Sequence, residues 1–118
     1  MLRVLIVDDS RDDAELTEFA LREARIVIEC RSVQRESALP AACEGFVPDL
    51  VLCDLNLPGW SCAEVLAAAR RHAPEACYVI LTGAEPPQGA GELPDAHAVV
   101  LKDDPARLVE LARGLVRA

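Results

Sequence analysis

Residues 50–54 read Leu-Val-Leu-Cys-Asp, four apolar side chains in a row closed by a carboxylate. No polar residue interrupts them, and Pro58 and Gly59 break the chain shortly afterwards. An amphipathic helix or a half-wet strand would show polar residues at a fixed period. An unbroken apolar run this short reads as a parallel strand covered on both faces. Parallel strands need crossover connections, and these place helices on both sides of the sheet. Asp54 then stands at the carboxyl end of a buried strand, where open α/β sheets bind their ligands. Taken alone, it could equally cap the following turn through its side chain.

Four further strands are expected. Arg3–Val7 ends in Asp8-Asp9-Ser10, Cys77–Leu81 ends in Thr82-Gly83, and Val99–Leu101 ends in Lys102-Asp103. Between Ile26 and Val33, Glu29 and Arg31 alternate with Ile28 and Cys30, which marks an edge strand or a wet face. The first helix is predicted from about Asp12 to Ala24, with Leu16, Phe19, Ala20 and Ala24 as its apolar stripe. Asp12, Asp13 and Glu15 load its first turn with charge that suits the helix dipole. A helix between Gln34 and Cys43 has Pro40 in its first turn or is kinked there. A third helix runs from about Ser61 to His72, with Cys62, Val65, Leu66 and Ala69 at helical spacing. The last opens with Asp104 as N-cap and Pro105 at its first position, and Leu108, Leu111, Ala112 and Leu115 form its stripe. Between the fourth and fifth strands lie Pro86, Pro87, Gly89, Gly91 and Pro94, so the helix due there is expected to be degraded or replaced by loop. The alternation predicts a doubly wound, flavodoxin-like, five-stranded parallel sheet of order 2-1-3-4-5, with residues 1–118 as one domain.

Composition limits the partners. The chain carries a net charge of −8 and only 3% aromatic residues. It has neither the positive charge nor the rings for binding nucleic acid, and its acidity disfavours an anionic membrane. Cys30, Cys43, Cys53, Cys62 and Cys77 contain no C-x-x-C pair and are expected to be reduced thiols. With no signal peptide and no apolar stretch long enough to span a bilayer, a cytoplasmic location is expected.

The strand ends carry the chemistry. Asp8, Asp9, Asp54, Thr82 and Lys102 all fall at the same edge of such a sheet. Each has an ordinary explanation: Asp8 and Asp9 could cap the first helix, Thr82-Gly83 could be a turn, and Lys102 could be a surface charge. Three crowded carboxylates, however, call for a cation, and magnesium suits an all-oxygen site completed by phosphate. With Lys102 and Thr82 alongside, the set is suited to phosphoryl transfer onto Asp54 as a carboxylate nucleophile.

Asp8-Asp9, Asp54 in D-L-N-L-P-G, Thr82 and Lys102 together resemble the response-regulator receiver domain of two-component signalling, over essentially the whole chain. The resemblance implies that Asp54 is the phosphoacceptor, charged from a histidine kinase or a histidine phosphotransfer protein. It implies that Mg2+ is held by Asp8, Asp9, Asp54 and the backbone carbonyl of Asn56. Thr82 and Lys102 would bind the phosphoryl group. The domain would be no enzyme beyond its own phosphorylation and dephosphorylation, and would signal through protein–protein contacts. Three positions depart from the family's habit. Val99 stands where an aromatic is usual, Asp103 where a proline follows the lysine, and Cys62 where glycine is common. The Val99 position and the degraded fourth helix favour an alternative, a pseudo-receiver that is an interaction module and is never phosphorylated, while intact Asp54, Thr82 and Lys102 count against it. A phosphatase of the haloacid-dehalogenase type would need a D-x-D motif on the first strand, and here Asp8-Asp9-Ser10 has the wrong spacing.

Overall fold

In the computed structural model, which describes residues 1–83 and 96–117, the apolar runs pair into one parallel sheet. The strands are β1 (Leu2–Val7), β2 (Ile28–Val33), β3 (Leu50–Asp54), β4 (Cys77–Thr82) and β5 (Ala98–Leu101), in the order β2-β1-β3-β4-β5. The helices are α1 (Arg11–Glu23), α2 (Leu39–Cys43), α3 (Cys62–His72) and α4 (Pro105–Arg117). The expected strand order and doubly wound architecture are therefore observed. The expected loss of a helix within Ala84–Ala96 concerns a segment of which residues 84–95 lie outside the described residues.

The missing polar alternation in β3 has a direct cause. Successive side chains of a strand point to opposite faces. Val51 and Cys53 enter a core with Leu5, Val7, Val65, Leu66 and Tyr78, under α2 and α3. Leu50 and Leu52 enter a second core with Val4, Ile6, Leu21, Val100, Leu108 and Ala112, under α1 and α4. Both faces are dry, so both sets of positions are apolar. β2 is the edge strand the alternation predicted, with Glu29 and Ser32 exposed. Its Arg31 donates from Nη1 to the carbonyls of Ala42 and Glu44 at 2.9 and 2.8 Å, satisfying acceptors at the end of α2. Pro40 stands in the first turn of that short helix, where a missing N–H costs nothing.

Helix α1 differs from expectation in its rotation. Ala14 and Leu21 face the sheet and are buried, whereas Leu16 and Phe19 are 66% and 60% exposed. The start of the helix sets that phase: Ser10 is its N-cap, and its Oγ accepts from the Asp13 N–H at 3.2 Å. Ala14 and Leu21 then point into the second core, and Ala24 packs against it. Leu16 and Phe19 are also three apart, so periodicity alone could not decide between the two faces. The helix ends in a Schellman close. Ile26 N–H donates to Leu21 C=O and Arg25 N–H to Arg22 C=O, with Arg25 at φ +65°. Ile26 thus belongs to the helix end, which is why β2 begins at Ile28 and not at Ile26.

Candidate functional site

The sheet register assembles the site. Val7 pairs with Cys53, Asp54 with Leu81, and Thr82 with Leu101. One residue beyond the first pair, Asp8 comes beside Asp54, and Lys102 follows directly on Leu101, the partner of Thr82. The backbone ladder continues past the strand ends: Leu55 N–H donates to Leu81 C=O and Lys102 N–H to Thr82 C=O, both at 2.8 Å. Asp8, Asp54 and Thr82 are the buried polar side chains of the described core, and Asp9 is exposed.

Asp54 divides its two oxygens between the following turn and Lys102. Oδ1 accepts from the Asn56 N–H at 3.0 Å, which shapes the turn, and Gly59 completes that loop at φ +79°. Oδ2 accepts from Lys102 Nζ at 3.1 Å. Turn capping and a role in the site are therefore both present in one side chain. Asp8 does the same, with Oδ1 taking the Ser10 N–H at 2.9 Å and Oδ2 taking Lys102 Nζ at 2.9 Å. Neither Asp8 nor Asp9 caps α1, because Ser10 does so. Asn56 is placed in the wall of the site by its N–H bond to Asp54.

Lys102 is the counter-charge for the whole cluster. Its ammonium donates to Asp8, to Asp54 and also to Asp13 Oδ2 at 2.8 Å. Burial works to lower its pKa, but the bonds to Asp13, Asp8 and Asp54 more than reverse this, and the ammonium is held charged above its usual range. Burial pushes the Asp8 carboxyl upward, against the pull of Lys102 and the Ser10 N–H. Sequence reasoning missed Asp13. Its acidity reads locally as a helix-dipole charge, and its partner lies 89 residues away.

Asp8, Asp9 and Asp54 each offer a carboxylate oxygen, and these oxygens lie within 4.8 Å of one another. The donors are hard oxygens with no imidazole or thiolate among them, which fits a magnesium-like cation. The thiols belong to the packing. Cys53 and Cys62 are buried, Cys53 is held up by its bond to Cys62 and by burial, and burial pushes Cys30 up to about 12. All five cysteines are free.

This geometry gives a first expected result. Lys102→Met leaves the buried Asp8 and Asp54 facing each other, a repulsion of roughly 3 kcal/mol before solvent screening. Lys102 is itself 21% exposed, so the net loss of stability should be nearer about 2 kcal/mol. Urea denaturation with and without magnesium checks it: the cation should restore most of the loss. A loss that magnesium leaves unchanged would mean that Lys102 is not the counter-ion of this cluster.

Beyond Lys102 the site opens into a cleft of about 330 Å³ between α1 and α4, lined by Asp13, Leu16, Phe19, Leu101, Pro105 and Leu108 among others. Val99, on β5, is 42% exposed. Among the described residues, no helix is long and apolar enough to cross a membrane.

Comparison with known proteins agrees with the geometry. Residues 4–113 match the family model described as response regulator receiver domain. A response regulator receiver domain protein (CheY-like) from Methanospirillum hungatei JF-1 is 25% identical, with a TM-score of 0.75 over 99% of this chain and 95% of that one. The N-terminal domain of a response regulator/sensory box/GGDEF 3-domain protein from Carboxydothermus hydrogenoformans is 24% identical, with a TM-score of 0.79 over 98% and 94% of the two chains. The signal receiver domain of a DNA-binding response regulator from Colwellia psychrerythraea 34H shares the fold at a TM-score of 0.85 over 100% of each chain, with 15% identity. No curated protein matches by sequence. With the family pattern spanning nearly the whole chain and the acids, hydroxyl and lysine at the strand ends where the fold gathers them, the chain belongs to the response regulator receiver domains of two-component signalling.

Proposed function

We propose that this chain accepts a phosphoryl group on Asp54 from a histidine kinase or a histidine phosphotransfer protein, in a magnesium-dependent reaction, and passes the signal on through protein–protein contacts. The observation that carries this reading is the environment of the Asp54 carboxylate. It is buried at a strand end, anchored through Oδ1, and meets Lys102 through Oδ2 within reach of two further acids. An anchored carboxylate is oriented for attack, since fixing the nucleophile removes much of the entropic cost of the step.

An Asp54 oxygen attacks phosphorus, the bond from phosphorus to the donor nitrogen breaks, and the nitrogen keeps that electron pair. Lys102 supplies a fixed positive charge for the transferred oxygens, and Thr82 a hydroxyl donor. Asp8, Asp9, Asp54 and the Asn56 carbonyl would hold magnesium, which when bound neutralises charge on the phosphoryl oxygens. Hydrolysis of the acyl phosphate returns the free carboxylate, so the domain is no enzyme toward other substrates. A location in the cytoplasm, where histidine kinases expose their phosphodonors, goes with this reading.

Phosphoryl transfer from a labelled phosphohistidine protein, with and without a chelator, tests the proposal. Label that appears only with magnesium and is released by neutral hydroxylamine, which cleaves acyl phosphates, is the expected result. No label under either condition would favour the pseudo-receiver.

The exposed pair on α1 suggests where the donor sits. Leu16 and Phe19 form an apolar patch at the mouth of the cleft that leads to Lys102, with acidic Asp12, Asp13 and Glu15 around it. Exposed aromatic anchors of this kind carry binding energy. Phe19→Ala should slow transfer from a phosphohistidine protein about tenfold while leaving acetyl phosphate labelling and stability nearly unchanged. An equal effect on both donors would place Phe19 in the fold or in the chemistry, and not in docking.

A further inference from the structure

Lys102 has three N–H donors, and all three are committed, to Asp8 at 2.9 Å, Asp13 at 2.8 Å and Asp54 at 3.1 Å. Two of those acceptors are also wanted by a cation. An ammonium and a magnesium ion then compete for the same carboxylates of Asp8 and Asp54. Asp13 stands apart. Its oxygens are not in the cluster formed by Asp8, Asp9 and Asp54, and its contact with Lys102 is the shortest of the three. It comes from a different element, the first turn of α1, while the other two acceptors come from strand ends.

That turn is fixed independently of the Asp13 carboxylate. The Asp13 N–H donates to Ser10 Oγ, and its C=O accepts from Thr17 Oγ1 at 3.0 Å. The side chain is therefore presented to Lys102 by a helix start that does not need it.

We propose that Asp13 is a positioning residue for Lys102. It anchors the ammonium through the one carboxylate the cation does not use, so that Lys102 can yield Asp8 and Asp54 to magnesium and still stay in place for the phosphoryl group. This rests on the phosphoacceptor reading above and adds a residue to it. Without Asp13, the ammonium redistributes onto Asp8 and Asp54 and opposes the cation directly.

A double-mutant cycle separates this from a plain charge effect. Magnesium affinity is measured by titration of backbone amide NMR shifts in the wild type, Asp13→Ala, Lys102→Met and the double variant. Asp13→Ala should weaken magnesium about fivefold when Lys102 is present and less than about twofold when it is absent. Equal weakening in both backgrounds would make Asp13 a distant negative charge on the cation and overturn the proposal, leaving the phosphoacceptor reading intact. No weakening in the presence of Lys102 would overturn it in the same way. A wild type that binds no magnesium would remove the phosphoacceptor reading, and this inference with it. Should Lys102→Met not fold, the ammonium resonance of Lys102 in the magnesium-saturated protein decides the question. It should be observable in the wild type and lost to fast exchange in Asp13→Ala. Its persistence in that variant would overturn the proposal.

Discussion

Asp9→Ala is expected to abolish magnesium-dependent phosphorylation while leaving the fold at least as stable as before. Asp9 is exposed at the end of β1, and its carboxylate lies within 4.8 Å of those of Asp8 and Asp54. It does not cap α1, since Ser10 Oγ already takes the Asp13 N–H. Removing an unneeded cap costs nothing, and removing one of three crowded negative charges relieves the metal-free protein. Losing a true cap would instead cost about 1 kcal/mol. The effect on the cation runs the other way. Even the loss of an outer-shell partner of a metal ligand weakens binding by about 10- to 100-fold. Losing a ligand should reach the upper end of that range or pass it. Magnesium titration together with thermal melting in chelator checks both halves. A variant that binds magnesium as the wild type does, or that melts well below it, would contradict the assignment.

Much of this molecule was legible because its physics is local. The run Leu50–Cys53 has no polar residue since Leu50 and Leu52 serve one core while Val51 and Cys53 serve the other. Once such a strand is parallel and central, the residue after it must sit at the ligand-binding edge, and Asp54 does. Asp104 and Pro105 announced a helix start for the same local reason, and Asp104 Oδ1 accepts the Arg107 N–H at 3.3 Å. The rotation of α1 was not legible. Leu16 and Phe19 are large apolar groups that fit the helical period, yet Ala14 and Leu21 are the buried positions. Only the Ser10 cap and the packing against β2 and α4 decide between those faces. Asp13 escaped for a related reason. Its role depends on Lys102, which tertiary structure brings to it from the far end of the chain.

The departure at Val99 has a physical reading as well. Val99 pairs with Ile80 at the sheet edge and is partly exposed. A β-branched side chain is stiff at χ1 and too short to swing between a buried and an exposed well. β5 carries Ala98, Val99, Val100 and Leu101, so it holds no ring that could rotate.

Asp54→Asn tests the central claim most directly. The change preserves shape, and the amide oxygen can still accept the Asn56 N–H that the carboxylate accepts at 3.0 Å. What it removes is the nucleophile, because an amide oxygen is far less nucleophilic than a carboxylate. The measurement is intact mass after incubation with acetyl phosphate and magnesium, on the wild type and the variant side by side. The wild type should gain one phosphoryl group, and Asp54→Asn should gain none above the magnesium-free background. A variant that gains the group as fast as the wild type would show that another residue is the acceptor, and a wild type that gains none would make the domain a pseudo-receiver.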